Sequence, residues 1–143
     1  MIGLKKMTKE EIIEFLEERC DEIGFRRHCG IEFVSFENNK LVLSMKITPE
    51  VSNRHGIAHG GALSGLLDTV MGLSCIIFGK NVVTSNLNVN FIRGPRIGTT
   101  VYASANILHS GMSVMVTEGK CYDDKGTLYA SATGSFYVLR NRV

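Results

Sequence analysis

The sequence predicts an α+β fold, in which a continuous antiparallel sheet is wrapped around a long buried helix and a further helix precedes the sheet. Two observations carry this prediction. Residues 60–78 are mostly apolar and are long enough for a buried helix. Strand-like segments lie on both sides of it, two before and four after. The 143 residues suit one ordinary domain, so we predict a single domain over residues 1–143, with its core at 30–140 and residues 1–29 before it.

The chain opens with an amphipathic helix. Thr8 is a good N-cap residue, and Glu11 three positions later completes a capping-box pattern. The apolar residues that fall near helical spacing are Ile12, Phe15, Leu16 and Ile23. We predict that this helix ends near Gly24 and that residues 25–30 form a connection.

Two strands follow, joined by a turn. Strand-like residues begin at Ile31 and resume over residues 41–47, and Asn38-Asn39-Lys40 between them is typical of a hairpin turn. Pro49 ends the second strand because proline lacks an N–H for the sheet. Residues 50–59 then form a loop.

The long helix and four strands make up the rest. Gly79 is placed to stop the helix as its C′ residue. The strands are predicted at residues 82–92, 99–108, 112–122 and 127–139. In the first of them Leu87, Val89 and Phe91 alternate with three asparagines, so the strand has one apolar and one polar face.

Composition excludes several classes of protein. Hydrophobic residues make up 44% and charged residues 21%, which argues against disorder. The formal net charge of +2 comes without a basic run, so nothing indicates a nucleic-acid partner. The most apolar segment contains Asp68 and several glycines and serines, which makes it a poor membrane span.

The cysteines form no metal or disulfide pattern. None of Cys20, Cys29, Cys75 and Cys121 belongs to a CxxC pair, and no histidine lies at zinc-finger spacing from them. We therefore expect no metal site and reduced thiols, as in a cytoplasmic protein. The first six residues lead into a charged helix and not into an apolar signal region.

Asp68 is the candidate catalytic residue that stands out on physical grounds. It is the only acid or base between His59 and Lys80, on a helix that is otherwise apolar, and burying an unpaired carboxylate is costly. Its neighbours one turn away are Ser64, Gly65, Met71 and Gly72. Such neighbours either form a narrow stripe that faces solvent, or clear space for a substrate beside an Asp68 that acts as nucleophile or general base.

Gly60 and Gly61 lie where this helix begins. Helix N-termini present unpaired N–H groups, and the missing side chains allow a carbonyl oxygen to approach closely. Such a site polarises a carbonyl and stabilises its tetrahedral oxyanion. The alternative is that the pair is only a flexible entry to the helix.

The spacing Asn53-x-x-Gly56-x-x-His59-Gly60-Gly61, followed by Asp68-x-x-x-Gly72, resembles the motif of the PaaI-like (phenylacetate-pathway) branch of the hotdog-fold thioesterases. Further matches lie at residues 88–93, 98, 110–111 and 124–126, so the resemblance covers residues 30–140. It implies a hotdog fold, acyl-CoA thioesterase activity without a cofactor, and active sites at the interface of a homodimer, with dimers often paired into a homotetramer.

The resemblance also implies roles for individual residues. The Gly60 N–H corresponds to the group that polarises the thioester carbonyl, and Asp68 to the carboxylate that attacks it or activates water. Asn53 and His59 correspond to the pair that orders the loop and the carbonyl site. A hydroxyl that orients the water in some relatives corresponds to Thr84 or Ser85. Further substrate-binding candidates are Gly61, Arg93, Ser110 and Gly111.

Met112 departs from the pattern of related proteins, and Gly72 distinguishes between their branches. A basic residue often follows the hairpin glycine and contacts the CoA nucleotide, but Met112 stands there. Gly72 stands where some branches carry a hydroxyl, which favours the PaaI-like arrangement. Arg93 and Arg96 flank a Gly-Pro turn and either meet CoA phosphates or face solvent.

The sequence therefore predicts hydrolysis of an acyl-CoA to a free acid and CoA by a homo-oligomer, with neither nucleic acid nor membrane as a partner. Two alternatives stay open. One is a hotdog hydratase or dehydratase acting on enoyl-CoA or acyl carrier protein substrates, although the chain lacks the Pro-Gly-rich helix entry expected of those. The other is a non-catalytic acyl-CoA-binding protein.

Overall fold

Six strands form one antiparallel sheet, and a long helix lies against it. The computed structural model describes residues 8–22 and 24–140, and the side chains of all of these except 20–22. The helices are α1 (Lys9–Glu22), α2 (Gly24–Cys29) and α3 (Gly60–Ile77), and the strands are β1 (Ile31–Glu37), β2 (Lys40–Lys46), β3 (Val82–Phe91), β4 (Thr100–Ser110), β5 (Val114–Tyr122) and β6 (Leu128–Val138). The strand order is β1-β2-β4-β5-β6-β3. This confirms the predicted architecture. The predictions for residues 1–6, for Ile23 in the first helix and for the thiol of Cys20 fall outside the described residues.

α3 is the centre of the fold, because it packs against β2, β3, β4, β5 and β6. Its fully buried residues include Leu66, Leu67, Val70 and Met71. The length of α3 and its mean hydropathy of 1.5 would also suit a membrane span, but core helices packed against a sheet meet the same test.

The helix stops where the sequence predicts. Gly79 has a φ of +86° and donates its N–H to Ile76 O at 2.9 Å, while the Lys80 N–H reaches Cys75 O at 3.1 Å. These two bonds form a Schellman motif. The motif confirms Gly79 as the C′ residue.

One stripe of α3 is not buried, although its apolar composition predicts burial nearly all round. The half-buried residues of this stripe are Ser64, Gly65, Asp68, Thr69 and Gly72. The sheet covers one broad face of the helix, and the small and polar residues lie on the face that it leaves. Phe25 partly covers this stripe, since a Cβ on Gly65 would lie 2.6 Å from its ring.

The N-terminal region contains two helices and not one helix with a connection. The predicted cap of α1 is confirmed, because the Glu11 N–H donates to Thr8 Oγ1 at 3.1 Å. Residues predicted as a connection form α2 instead, in which Arg26 and Cys29 are buried. A helix of six residues shows no periodicity of its own and is stabilised by packing, so the sequence pattern did not reveal it.

The turn between β1 and β2 is confirmed at the predicted asparagines. Asn38 and Asn39 have φ angles of 51° and 58°, and Glu37 pairs with Lys40 on either side of them. Asparagine tolerates this left-handed conformation better than most residues. The two-residue turn sets the register of the hairpin.

β3 is an edge strand with a bulge. Thr84 pairs with Phe136 and Asn86 pairs with Ser135, so Ser85 is the extra residue. A bulge reverses the alternation of side chains before it. Thr84 therefore lies on the same face as Phe91, toward α3, and Ser85 does not.

Candidate active site

The loop before α3 is ordered by Asn53. Its Oδ1 accepts the His55 N–H at 2.9 Å, its N–H donates to Ile57 O at 2.8 Å, and its carbonyl accepts the Gly56 N–H at 3.1 Å. Gly56 has a φ of +76°, a conformation that favours glycine. Asn53 thus closes a tight turn just ahead of the helix, as an Asx-type turn does.

His59 caps α3. Its Nδ1 accepts the Gly61 N–H at 2.8 Å, so Nδ1 carries no proton. Its carbonyl accepts the Ala62 N–H at 2.9 Å and the Leu63 N–H at 3.2 Å. Of the N–H groups in the first turn, only that of Gly60 has no acceptor among the described residues. Capping therefore leaves one donor at the helix N-terminus available to a ligand.

Gly61 serves the cap and does not line the same cleft as Gly60. Its N–H is taken by His59, and a Cβ on Gly61 would lie 2.9 Å from His59 Nδ1. Glycine at this position lets the imidazole ring fold back over the helix start.

Gly60 lines a surface cleft of about 310 Å³, which we call the Gly60 cleft. Its walls include Asn53, Phe91 and the exposed Arg93. The Phe91 ring lies 3.3 Å from the position that a Cβ on Gly60 would take. The cleft therefore combines a backbone donor, an aromatic wall and a cationic side chain that suits an anion.

The wall of the Gly60 cleft is held by the connection between β3 and β4. The Ala58 N–H donates to Pro95 O at 2.9 Å and the Ile97 N–H to Gly56 O at 3.1 Å. A Cβ on Gly94 would lie 2.4 Å from the Ile57 side chain. Glycine at position 94 thus permits the close contact between the two loops.

Asp68 lies half-buried on the open stripe of α3. The Thr84 hydroxyl donates to its Oδ1 at 2.6 Å, and this is its only side-chain hydrogen bond to a described residue. Ser85 instead donates its hydroxyl to Ser135 O at 3.0 Å. Of the two hydroxyls proposed from the sequence, the structure places Thr84 at Asp68 and Ser85 away from it.

Asp68 and Thr84 line a second cleft of about 330 Å³, which we call the Asp68 cleft. Its other walls include Phe25 and Arg26 of α2 and Phe136 of β6. Sequence reasoning missed the two α2 residues because it assigned them to a connection. No residue lines both the Asp68 cleft and the Gly60 cleft.

Ser110 and Gly111 do not join either cleft of the described chain. They lie at the end of β4, where the Gly111 N–H donates to Val114 O at 2.9 Å and closes the turn to β5. Met112, at the departure from the family pattern, is 89% exposed.

Neither Cys75 nor Cys121 supplies a nucleophile to this site. Burial raises the pKa of Cys75 and of Cys121 to about 12, so both thiols stay protonated near neutral pH and are unreactive. No group of three or more histidine, cysteine or acidic side chains among the described residues could hold a metal ion.

Comparison with known proteins identifies relatives over most of the chain. The family model described as "Thioesterase superfamily" matches residues 55–130. Acyl-coenzyme A thioesterase THEM4 of Bos taurus is 33% identical over 121 residues, covering 81% of this chain and 49% of its own length. Acyl-coenzyme A thioesterase PaaI of Escherichia coli is 33% identical over 82 residues, covering 57% of this chain and 59% of its own. The chain thus spans about half to three fifths of these two relatives.

Solved structures share the fold. The Escherichia coli PaaI structure matches with a TM-score of 0.84 at 22% identity, covering 93% of this chain and 96% of its own. The smu.793 protein of Streptococcus mutans, solved bound to acetyl CoA, matches with a TM-score of 0.73 at 26% identity, covering 79% and 91%. These matches confirm the predicted hotdog fold.

Proposed function

The chain belongs to the thioesterase superfamily and is a thioester hydrolase by that membership, and from this premise we propose that it hydrolyses acyl-CoA thioesters to a free acid and CoA. The observation that carries the proposal is the pair of complementary groups on α3: the available N–H of Gly60 at its start and the Asp68 carboxylate further along it. One group polarises a carbonyl and the other supplies a base.

In the proposed reaction the thioester oxygen accepts a hydrogen bond from the Gly60 N–H. This donor and the positive end of the α3 dipole stabilise the oxyanion that forms when the carbonyl carbon is attacked. Thr84 holds Oδ1 of Asp68, which leaves Oδ2 to take a proton from the attacking water. The tetrahedral intermediate then collapses, the C–S bond breaks, and the CoA thiolate takes up a proton.

Direct attack by the Asp68 carboxylate would instead form an acyl-enzyme anhydride. A single turnover in ¹⁸O-labelled water distinguishes the two routes. General-base catalysis puts the label only in the released acid. After direct attack, water that hydrolyses the anhydride at the Asp68 carbonyl puts ¹⁸O into the Asp68 side chain, and the released acid carries an unlabelled oxygen from Asp68.

Both groups act on one carbonyl only if two copies of the chain share the site. Asp68 follows Gly60 by eight residues on α3, which at about 1.5 Å per residue places them about 12 Å apart along the helix. A carbonyl that is bound by a donor and attacked from its other side by a water that the carboxylate holds spans only about 8 Å. The separation of the two clefts within one chain supports the same conclusion.

The edge strand β3 is the surface on which a second copy fits. One edge of β3 is not paired within the described chain, and its exposed side chains include Val83 and Phe91. Unpaired edges of this kind are templates for strand pairing. Antiparallel pairing of two β3 strands about a two-fold axis sets the Thr84 end of one copy beside the Phe91 end of the other.

That pairing joins two incomplete halves into one site. Thr84 holds Asp68, and Phe91 lies against Gly60, so the Asp68 cleft of one copy meets the Gly60 cleft of the other. A homodimer then has two equivalent sites. Arg93 in the Gly60 cleft is placed for the phosphates of CoA, which leaves the Asp68 cleft for the acyl group.

The test combines two inactive variants. Asp68→Asn removes the carboxylate and Gly60→Pro removes the N–H, so each homodimer should fail to hydrolyse an acyl-CoA. In mixed dimers one site regains both groups, and random mixing should restore about a quarter of wild-type activity.

Two outcomes contradict parts of the proposal. Mixed dimers seen by native mass spectrometry that recover no activity would show that the site is not shared between copies. A wild-type protein that releases no CoA from short, medium, long and aromatic acyl-CoAs would refute acyl-CoA hydrolysis itself.

A further inference from the structure

Arg26 is a buried cation on the wall of the Asp68 cleft. The residue is 7% exposed, and its Nη1 is buried with no hydrogen-bond acceptor among the described residues. It lines the cleft together with Asp68 and Thr84. Neither the reaction proposed above nor the family motif uses this side chain.

A guanidinium stays charged inside a protein and carries five N–H donors, so an isolated buried one is unfavourable unless an anion meets it. Asp68 is the only acidic side chain among the described residues that line this cleft. Its Oδ1 is engaged by the Thr84 hydroxyl, and Nη1 of Arg26 forms no hydrogen bond to it. Among the described residues, Nη1 of Arg26 is therefore left without an anion, and a ligand can supply one.

The position of Arg26 is set by packing. Its neighbour Phe25 lies on Gly65 of α3, and Cys29 at the end of α2 is buried. α2 thus presents Arg26 to the cleft from a fixed element, as a recognition residue requires.

We propose that Arg26 binds a carboxylate at the far end of the acyl group, so that the substrates are CoA monothioesters of short dicarboxylic acids. This inference rests on the proposed function, because it assigns the Asp68 cleft to the acyl group. A carboxylate matches the planar guanidinium fork. The other walls, among them Leu73, Ile76 and Val82, suit the methylene groups between the two ends, and a cleft of about 330 Å³ has room for a short dicarboxylic chain.

The first test uses the wild-type protein and two substrates of equal chain length. Succinyl-CoA and butyryl-CoA both carry four-carbon acyl groups and differ in the terminal carboxylate. We expect kcat/KM to be about 100-fold higher for succinyl-CoA, because a site built for a polar group discriminates strongly against an analogue that lacks it. Free succinate should likewise inhibit at lower concentration than butyrate, a measurement that needs no variant.

The second test uses neighbouring arginines. Arg26→Met keeps the length of the side chain and removes the charge, and it should abolish the preference by lowering kcat/KM for succinyl-CoA about 100-fold while butyryl-CoA turnover is kept. Arg27→Met is the matched control, since Arg27 is exposed on the same helix and lines neither cleft; it should leave both substrates unchanged. Arg26→Lys restores the positive charge but not the planar guanidinium fork, so it should recover part of the preference for succinyl-CoA.

Several results would overturn the inference. In the first, the wild-type protein hydrolyses both substrates equally or prefers butyryl-CoA. In the second, succinate and butyrate inhibit at the same concentration. In the third, the Arg26→Met variant loses both activities in parallel. All three leave acyl-CoA hydrolysis standing. Failure to hydrolyse any acyl-CoA would instead refute the proposed function on which the inference rests.

Discussion

The Gly60 cleft and the Asp68 cleft present different kinds of functional group. The Gly60 cleft presents a backbone N–H, whose availability follows from the His59 cap and from the turn that Asn53 closes. The Asp68 cleft presents a side chain, held by the hydroxyl of Thr84. A backbone N–H is retained through most substitutions at its own position, whereas a single substitution can remove a side-chain carboxylate. The two halves of the proposed site should therefore respond to different kinds of change.

The largest effect is expected at the side-chain half. Asp68→Asn keeps the size of the side chain and removes the base, and it should lower kcat by about 10³-fold or more. CoA release measured by thiol titration checks the loss, and circular dichroism checks that the fold is kept. Asp124→Asn, in the exposed turn before β6, is the control and should turn over normally.

The next prediction distinguishes the role of the Gly60 N–H from the effect of added atoms near it. Gly60 is the first residue of α3, where proline is tolerated, and His59 has the extended ψ of 137° that a following proline requires. Gly60→Pro should therefore keep the helix and lower kcat by about 10²- to 10³-fold through loss of the donor. Steady-state kinetics on one acyl-CoA measures it.

Gly60→Ala is the matched variant, because it brings a Cβ to about the same contact with Phe91, 3.3 Å from its ring, but retains the N–H. It should lose much less activity than the proline variant. Equal losses in both would assign the effect to crowding by the added atoms and would remove the N–H from the mechanism.

A smaller effect is expected from the hydroxyl that holds Asp68. Thr84→Val preserves shape and removes the donor, so kcat should fall about 10-fold through loss of one charge-assisted hydrogen bond. Ser85→Ala, at the bulged position, should change kcat little because its hydroxyl bonds to Ser135 O. A larger loss in the Ser85 variant would mean that the bulge is placed differently in the working enzyme.

The smallest effect concerns stability. His59→Ala removes the cap of α3 and should lower the free energy of unfolding by about 1 kcal/mol, measured by urea denaturation. His59→Asn supplies another good cap residue and should regain most of it. If the alanine variant were as stable as the wild type, the hydrogen bond from the Gly61 N–H to Nδ1 would contribute nothing to the stability of the fold.

Of the two halves of the proposed site, the half that contains Asp68 is easier to predict from the sequence than the half that contains Gly60. A single acid within a long apolar segment is visible in the order of residues alone, and this pattern is enough to make Asp68 a candidate. The available N–H of Gly60 is harder to predict, because it depends on which first-turn donors the cap and the preceding carbonyl occupy. The sequence indicates a donor site at this helix start, and only the hydrogen-bond geometry selects one group within it.

The choice between Thr84 and Ser85 shows a second limit. Strict alternation along β3 places Ser85 with Leu87, Val89 and Phe91 on the face toward α3. The bulge puts Thr84 there instead. Bulges depend on pairing with a distant strand, here β6, and pairing partners are not encoded in the local pattern. α2 was missed for a similar reason, since contacts with α1, β1 and α3 and not its own six residues stabilise it.

The bare Cα of Gly65 has a consequence for how this protein could evolve. Phe25 rests where a methyl group on residue 65 would lie, 2.6 Å away, and the next residue of α2 is Arg26. One extra carbon at position 65 would displace the Phe25 ring, which lines the same cleft as the arginine, without altering any residue of the proposed catalytic machinery. Position 65 is thus a place where selection could retune the range of accepted acyl groups in single mutational steps while the chemistry stays constant.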